Sequence, residues 1–169
     1  WKAFLGINEV FCQKNIALVP IKGVDILARF YPSFDLRSMC DIDVLVKEDE
    51  FVQTEKILAE LGYQKKLLDL KEAYWRQKQC HIAFYKNQIA VEVHWGLDFK
   101  RGKRIILPLL WERTKELTIQ NHKIRLFSDE DAFFCFALHL RRFGNILSLK
   151  QILDVARIIN QSVRFDWDY

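Results

Sequence analysis

The sequence predicts an α/β (α+β) fold: a mixed, twisted sheet of about four or five strands flanked by helices, then a C-terminal helical segment. Three observations predict it. Asp41 and Asp43 alternate with Ile42, Val44 and Val46, the pattern of a half-buried strand. Residues 81–86 and 89–95 repeat that alternation on either side of Asn87-Gln88, a hairpin signal. Around these stretches, residues 2–14, 50–61 and 129–142 carry apolar residues at helical spacing. The chain divides into an α/β unit over 1–127 and a helical segment over 128–169.

In order, Phe4, Leu5, Ile7, Val10 and Phe11 mark the first helix. Ile16 to Val19 is a short apolar strand with Pro20 at its exit. Lys22-Gly23 opens a helix from Val24 to Phe30, stopped by Tyr31-Pro32. A turn at Pro32–Asp35 leads to Arg37 and the acidic strand. Asp49 is the expected N-cap of the helix over 50–61, and Gly62 its stop. Residues 65–78 form a charged helix or a long loop, and the hairpin follows. Lys100, Arg101, Lys103 and Arg104 form a basic loop, either solvated or drawing phosphate. A second hairpin is expected over 117–127 around Asn121-His122. Ser128 with Asp131 resembles a capping box and starts a helix apolar on almost every side; Gly144-Asn145 breaks the chain before a last helix over 147–160.

With 169 residues, 50% of them hydrophobic, the chain can bury one substantial core. A net charge of +4 admits an anionic ligand without arguing for nucleic acid. No stretch approaches the ~20 apolar residues of a membrane span. The four cysteines are widely spaced, which suits reduced, buried thiols in a cytoplasmic protein. The chain starts at Trp1 and stops at Tyr169, and both ends read as cuts within a longer sequence.

Asp41 and Asp43 lie on one strand face, ~6.6 Å apart along it. They are either a seat for divalent cations or the polar start of an ordinary strand. Lys22-Gly23 lies at a strand-to-helix junction, where exposed N–H groups and the missing side chain let a phosphate approach, or it is merely a turn. Glu92 and His94 share one face of an otherwise apolar strand. Glu92 is either solvated at an edge or bound to a cation, and His94 reads as an orienting or packing residue.

Taken together, Lys22-Gly23, Tyr31-Pro32, Arg37 with Asp41 and Asp43, Gly62-Tyr63 and Glu92-Val-His94-Trp95 resemble the uncharacterised nucleotidyltransferase branch of the DNA polymerase β-like superfamily. The resemblance runs from about Ile16 to Leu97 and implies the strand order. It also implies Mg²⁺ or Mn²⁺ held by Asp41, Asp43 and Glu92, a nucleoside triphosphate met by Lys22, Gly23 and Arg37, and His94 behind Glu92. Arg37 would neutralise phosphate or pair with a carboxylate when metal is absent. The acceptor could be a small molecule, a protein hydroxyl or RNA. The superfamily's Gly-Ser turn is Lys-Gly here, so triphosphate binding by a serine does not carry over. Two other readings stay open: a non-catalytic nucleotide- or partner-binding protein of the same fold, and a metal-dependent nuclease using Asp43 and Glu92, for which the usual lysine is missing. On this reading Asp43→Asn abolishes transfer and leaves the fold intact.

Overall fold

The computed structural model describes residues 1–66, 78–98, 107–144, 146–162 and 165–168. Most of the 65–78 stretch, the basic cluster Lys100–Arg104, Asn145 and Tyr169 lie outside them.

Helix α1 (Lys2–Gln13) leads to the short edge strand β1 (Val19–Pro20), and α2 spans Gly23–Phe30. Strand β2 (Asp41–Leu45) and helix α3 (Phe51–Glu60) follow, then β3 (Gln64–Lys66), β4 (His81–Lys86) and β5 (Ile89–His94). Helix α4 (Leu107–Glu112) precedes the hairpin β6 (Lys115–Ile119) and β7 (His122–Leu126), and α5 (Asp129–Leu140) and α6 (Leu149–Gln161) complete the chain. Among the described residues the main sheet has order β1-β2-β5-β4-β3, with β2 parallel to β5 and the other pairs antiparallel. The fold class is the mixed one that the alternating segments predict.

Alternation splits the sheet into two chemically different faces. Ile42, Val44, Ile82, Phe84, Val91 and Val93 pack against Phe4, Ile7 and Phe11 of α1 and Phe51, Ile57 and Leu58 of α3. The opposite face carries Asp43, Glu92 and His94 and looks towards α2 and the C-terminal helices.

Several local expectations change. Only Val19 and Pro20 pair in the first strand; Ile16 and Leu18 are buried without joining the ladder. Pro20 is tolerated because β1 is an edge. Asp49 does not cap α3: it lies in a 3₁₀ turn, Glu48–Glu50, and the cap position falls on Glu50, which makes no side-chain cap bond. Gly62 ends that helix at φ +84°, as expected. The second hairpin turns at Gln120 and Asn121, both at positive φ, so His122 belongs to a strand. Of the cysteines, Cys80 and Cys135 are buried, whereas Cys12 and Cys40 are exposed.

The Ser128 hydroxyl accepts from the Asp131 N–H, but the Asp131 carboxylate pairs with Arg113 instead of closing a capping box. A full box forms at Ser148 and Gln151, where α6 begins. Helices α5 and α6 close on α2 through Ile26, Phe30, Phe136 and Ile158. Arg29 of α2 binds Asp25 and reaches Asp129 at 2.7 Å, tying α2 to the start of α5. Among the described residues no helix is long and apolar enough to cross a membrane.

Candidate active site

Parallel pairing of β2 and β5 sets Asp43 beside Glu92 and Leu45 beside His94. Ala83 lies opposite Glu92 on β4, and the small side chain leaves the carboxylate room. Asp41 sits at the exposed start of β2, two residues before Asp43 and on the same face. The junction between β1 and α2 brings Lys22 and Gly23 over this face. The structure therefore gathers Asp41, Asp43, Glu92, Lys22, Gly23 and Arg37 on the wall of one cavity of about 620 Å³. His94 lies behind that wall, 2% exposed.

Asp43 is the hub. Its Oδ1 accepts from Lys22 Nζ at 2.5 Å and lies 2.9 Å from His94 Nε2. Burial alone would raise its pKa, but the His94 hydrogen bond and the Lys22 ammonium outweigh that and hold the carboxyl far below the usual range. Glu92 Oε2 is 3.6 Å from His94 Nε2, and the His94 contact lowers the pKa of Glu92 against the cost of burial. Burial, then Asp43 and Glu92, push Asp41 upward. His94 itself is raised to about 9: burial opposes its charge, and contacts with Asp43, Cys80 and Glu92 overcome burial and the Lys22 repulsion. Cys80 falls to about 6, because His81 and His94 stabilise its thiolate more than burial disfavours it.

The buried contact between His94 and Cys80 has a consequence for pH. A raised histidine stabilises the fold fully below 6.5 and loses that contribution as pH climbs through about 9. A depressed thiol does the reverse, contributing above 9 and losing it as pH falls through about 6. The two slopes oppose each other over the shared window. Cys80→Ala should remove the opposing thiolate slope, so that stability falls as pH rises from ~6.5 through a histidine window ending below 9, because one of the contacts that raise His94 goes with the thiol. Urea unfolding of both proteins across that range checks this; parallel curves would show that the thiolate does not offset His94.

The donors suit a hard divalent cation. Asp43, Glu92 and His94 offer ligand atoms within 4.8 Å of one another, and Asp41 adds a carboxylate at the cavity edge. Carboxylate oxygen is the ligand type that Mg²⁺ and Mn²⁺ select. A cation already rests on this oxygen set, the Lys22 ammonium.

Arg37 pairs with Asp154, not with Asp41 or Asp43. Its Nε and Nη2 donate to the two oxygens of Asp154 on α6, each at 2.9 Å, and Tyr31 Oη donates to the same carboxylate at 2.8 Å. Arg37 Nη1 also reaches the Gly23 carbonyl oxygen at 3.4 Å. A Cβ on Gly23 would stand 3.0 Å from that Nη1, so any side chain there would have to push aside a guanidinium that Asp154 clamps. Asp154 was not singled out in the sequence. Its signal is a carboxylate on the inward stripe of α6, between buried Gln151 and Ile158. The cavity is also lined by Arg142, Phe143, Ile146, Leu147 and Lys150. These residues carry no motif, and only the packing of α5 and α6 brings them to the acids.

The profile of the family described as "Uncharacterised nucleotidyltransferase" matches residues 2–169. The chain belongs to that family. No curated protein matches it. Solved structures resemble it across nearly its whole length. ANT(2")-Ia in complex with adenylyl-2"-tobramycin superposes with TM-score 0.65 at 16% identity, over 91% of this chain and 84% of that one. The lincosamide antibiotic adenylyltransferase LnuA, lincomycin-bound, gives 0.59 at 15%, over 94% and 95%. An antigenic nucleotidyltransferase-like protein from Paracoccidioides brasiliensis gives 0.59 at 14%, over 95% and 73%. The family match makes this chain a member of a nucleotidyltransferase family, and the solved structures, at identities this low, speak to the fold alone.

Proposed function

We propose that the protein moves a nucleoside monophosphate from a nucleoside triphosphate to a hydroxyl group of a small-molecule acceptor, with Mg²⁺ or Mn²⁺. The carrying observation is the convergence of Asp41, Asp43 and Glu92 with the Lys22-Gly23 junction on one cavity. Asp41, Asp43 and Glu92 would hold the metal. When bound, it supplies charge neutralisation at the phosphates and acidifies the attacking hydroxyl.

This chain's residues supply the positioning. Gly23 begins α2, so the helix N-terminus offers unobstructed N–H groups to phosphate oxygens. Lys22 adds a movable charge beside it, and Arg142 and Lys150 are exposed cations lining the same cavity. Arg37, clamped by Asp154, fixes the turn behind Gly23. His94 orients Asp43 and Glu92 from behind. Phe143, Ile146 and Leu147 give the cavity an apolar side on which the body of an acceptor can rest. That the structures in its fold neighbourhood hold lincomycin and an adenylylated tobramycin supports a small-molecule acceptor. Four free thiols suit a reducing, cytoplasmic setting.

The test is incubation of the pure protein with mixed nucleoside triphosphates, Mg²⁺ or Mn²⁺ and a metabolite extract, read by mass spectrometry. A product heavier than an extract component by one nucleotidyl residue, a nucleoside monophosphate less one water, formed with release of pyrophosphate, supports the reading; none with any triphosphate overturns it. Binding gives a simpler check. Millimolar MnCl₂ with ATP, GTP, CTP or UTP should raise the melting temperature by roughly 5–10 °C for at least one of them, the expectation at about a hundredfold excess over Kd. An unmoved transition with all four would count against a nucleotide site.

A further inference from the structure

We propose that Lys22 is a built-in counter-ion that occupies the acidic cradle and leaves it only when a triphosphate draws it out, so that divalent metal and nucleotide enter this site together. This rests on the nucleotidyl-transfer reading and adds an order to it.

Three observations carry it. The Lys22 ammonium lies on a carboxylate of the candidate metal ligands, 2.5 Å from Asp43 Oδ1 and 3.3 Å from His94 Nε2. An ammonium and a divalent cation on one carboxylate repel strongly in a largely desolvated site. The Lys22 backbone sits at φ 54°, ψ −118°, in the region that favours glycine. A side chain held there is strained and persists only where its surroundings over-determine it; the ion pair with Asp43 and the Ile26 N–H bonded to the Lys22 carbonyl oxygen are two such contacts. Finally, the side chain is anchored directly before the first residue of α2 and lines the cavity. Rotation about its four-carbon stem carries the ammonium from Asp43 towards an anion at the helix N-terminus without moving the backbone.

The thermodynamics follow from linkage. With the cradle already neutralised, metal alone must displace the ammonium and gains little. A triphosphate gives the ammonium another partner, which vacates Asp43 and raises metal affinity. Metal must raise triphosphate affinity by the same factor. The partner that triggers the change is a polyphosphate, because only a multiply charged anion beside Gly23 competes with the carboxylate for Lys22.

Calorimetric titration of MnCl₂ into the nucleotide-free protein tests this in wild type, Lys22→Gly and Lys22→Met. Glycine removes charge and strain together; methionine removes the charge and keeps much of the bulk. Both variants should bind Mn²⁺ about 10- to 100-fold more tightly than wild type. Both should bind adenosine 5′-(α,β-methylene)triphosphate about tenfold more weakly, the loss of one charge-assisted hydrogen bond. Equal Mn²⁺ affinity in all three proteins would overturn the proposal, as would unchanged affinity for the analogue. Failure of the underlying reading looks different: no protein, wild type included, would then bind Mn²⁺ even with the analogue present.

Discussion

Asp43→Asn is expected to reduce metal-dependent nucleotidyl transfer by about 10³-fold or more, the scale on which loss of one preorganised charge at a reacting centre acts. It should also weaken the fold, which the sequence alone did not foresee. Asp43 is buried and binds both Lys22 and His94, so an amide leaves two cationic groups without their shared anion. Lys22 can turn into the cavity, but His94, 2% exposed, cannot. A cost of about 1–3 kcal/mol is expected, the usual range for orphaning a buried hydrogen-bonding group. Transfer of label from an α-labelled triphosphate and urea unfolding measure the two effects separately. Undiminished transfer by the pure, folded variant would remove Asp43 from the metal site.

Arg37→Ala should give the largest loss of stability. Arg37 and Asp154 form a two-point ion pair with side chains 6% and 0% exposed, and α6 meets the turn before β2 through it. Removing one member strands a carboxylate whose remaining partner is the Tyr31 hydroxyl. Breaking such a pair from one side costs about 3–5 kcal/mol, or roughly 6–20 °C in melting temperature for a chain of this size. Replacing both members, as in Arg37→Met with Asp154→Leu, should cost much less, since no buried charge is left over. Calorimetry of the two proteins reads the difference. If the single variant melted within 2–3 °C of wild type, the pair would not be what joins α6 to the site.

Much of the site was legible because its chemistry interrupts a pattern. Asp41 and Asp43 break an apolar strand, Glu92 breaks another, and Gly23 stands where a strand meets a helix. Each is visible from the period of two and from turn chemistry. The Asp49 cap was misread because a helix start is decided by which backbone N–H groups remain unpaired, and a 3₁₀ turn at Glu48–Glu50 had taken that position. Asp154 was legible in principle as a carboxylate on an inward helix stripe. Arg142 and Lys150 were not, because surface cations look alike until packing gives one of them a cavity to face.

Sequence by itself determined the mixed sheet, the hairpins and the placing of candidate carboxylates on one strand face, because strand periodicity and turn residues are local properties of the chain. Tertiary structure alone decided who meets whom. The parallel pairing of β2 with β5 set Glu92 beside Asp43, the packing of α6 gave Arg37 to Asp154, and a turn at positive φ laid Lys22 on Asp43. Those contacts span 21 to 117 residues of chain, and over such distances it is the burial of apolar faces, not any local preference, that fixes which charges become neighbours.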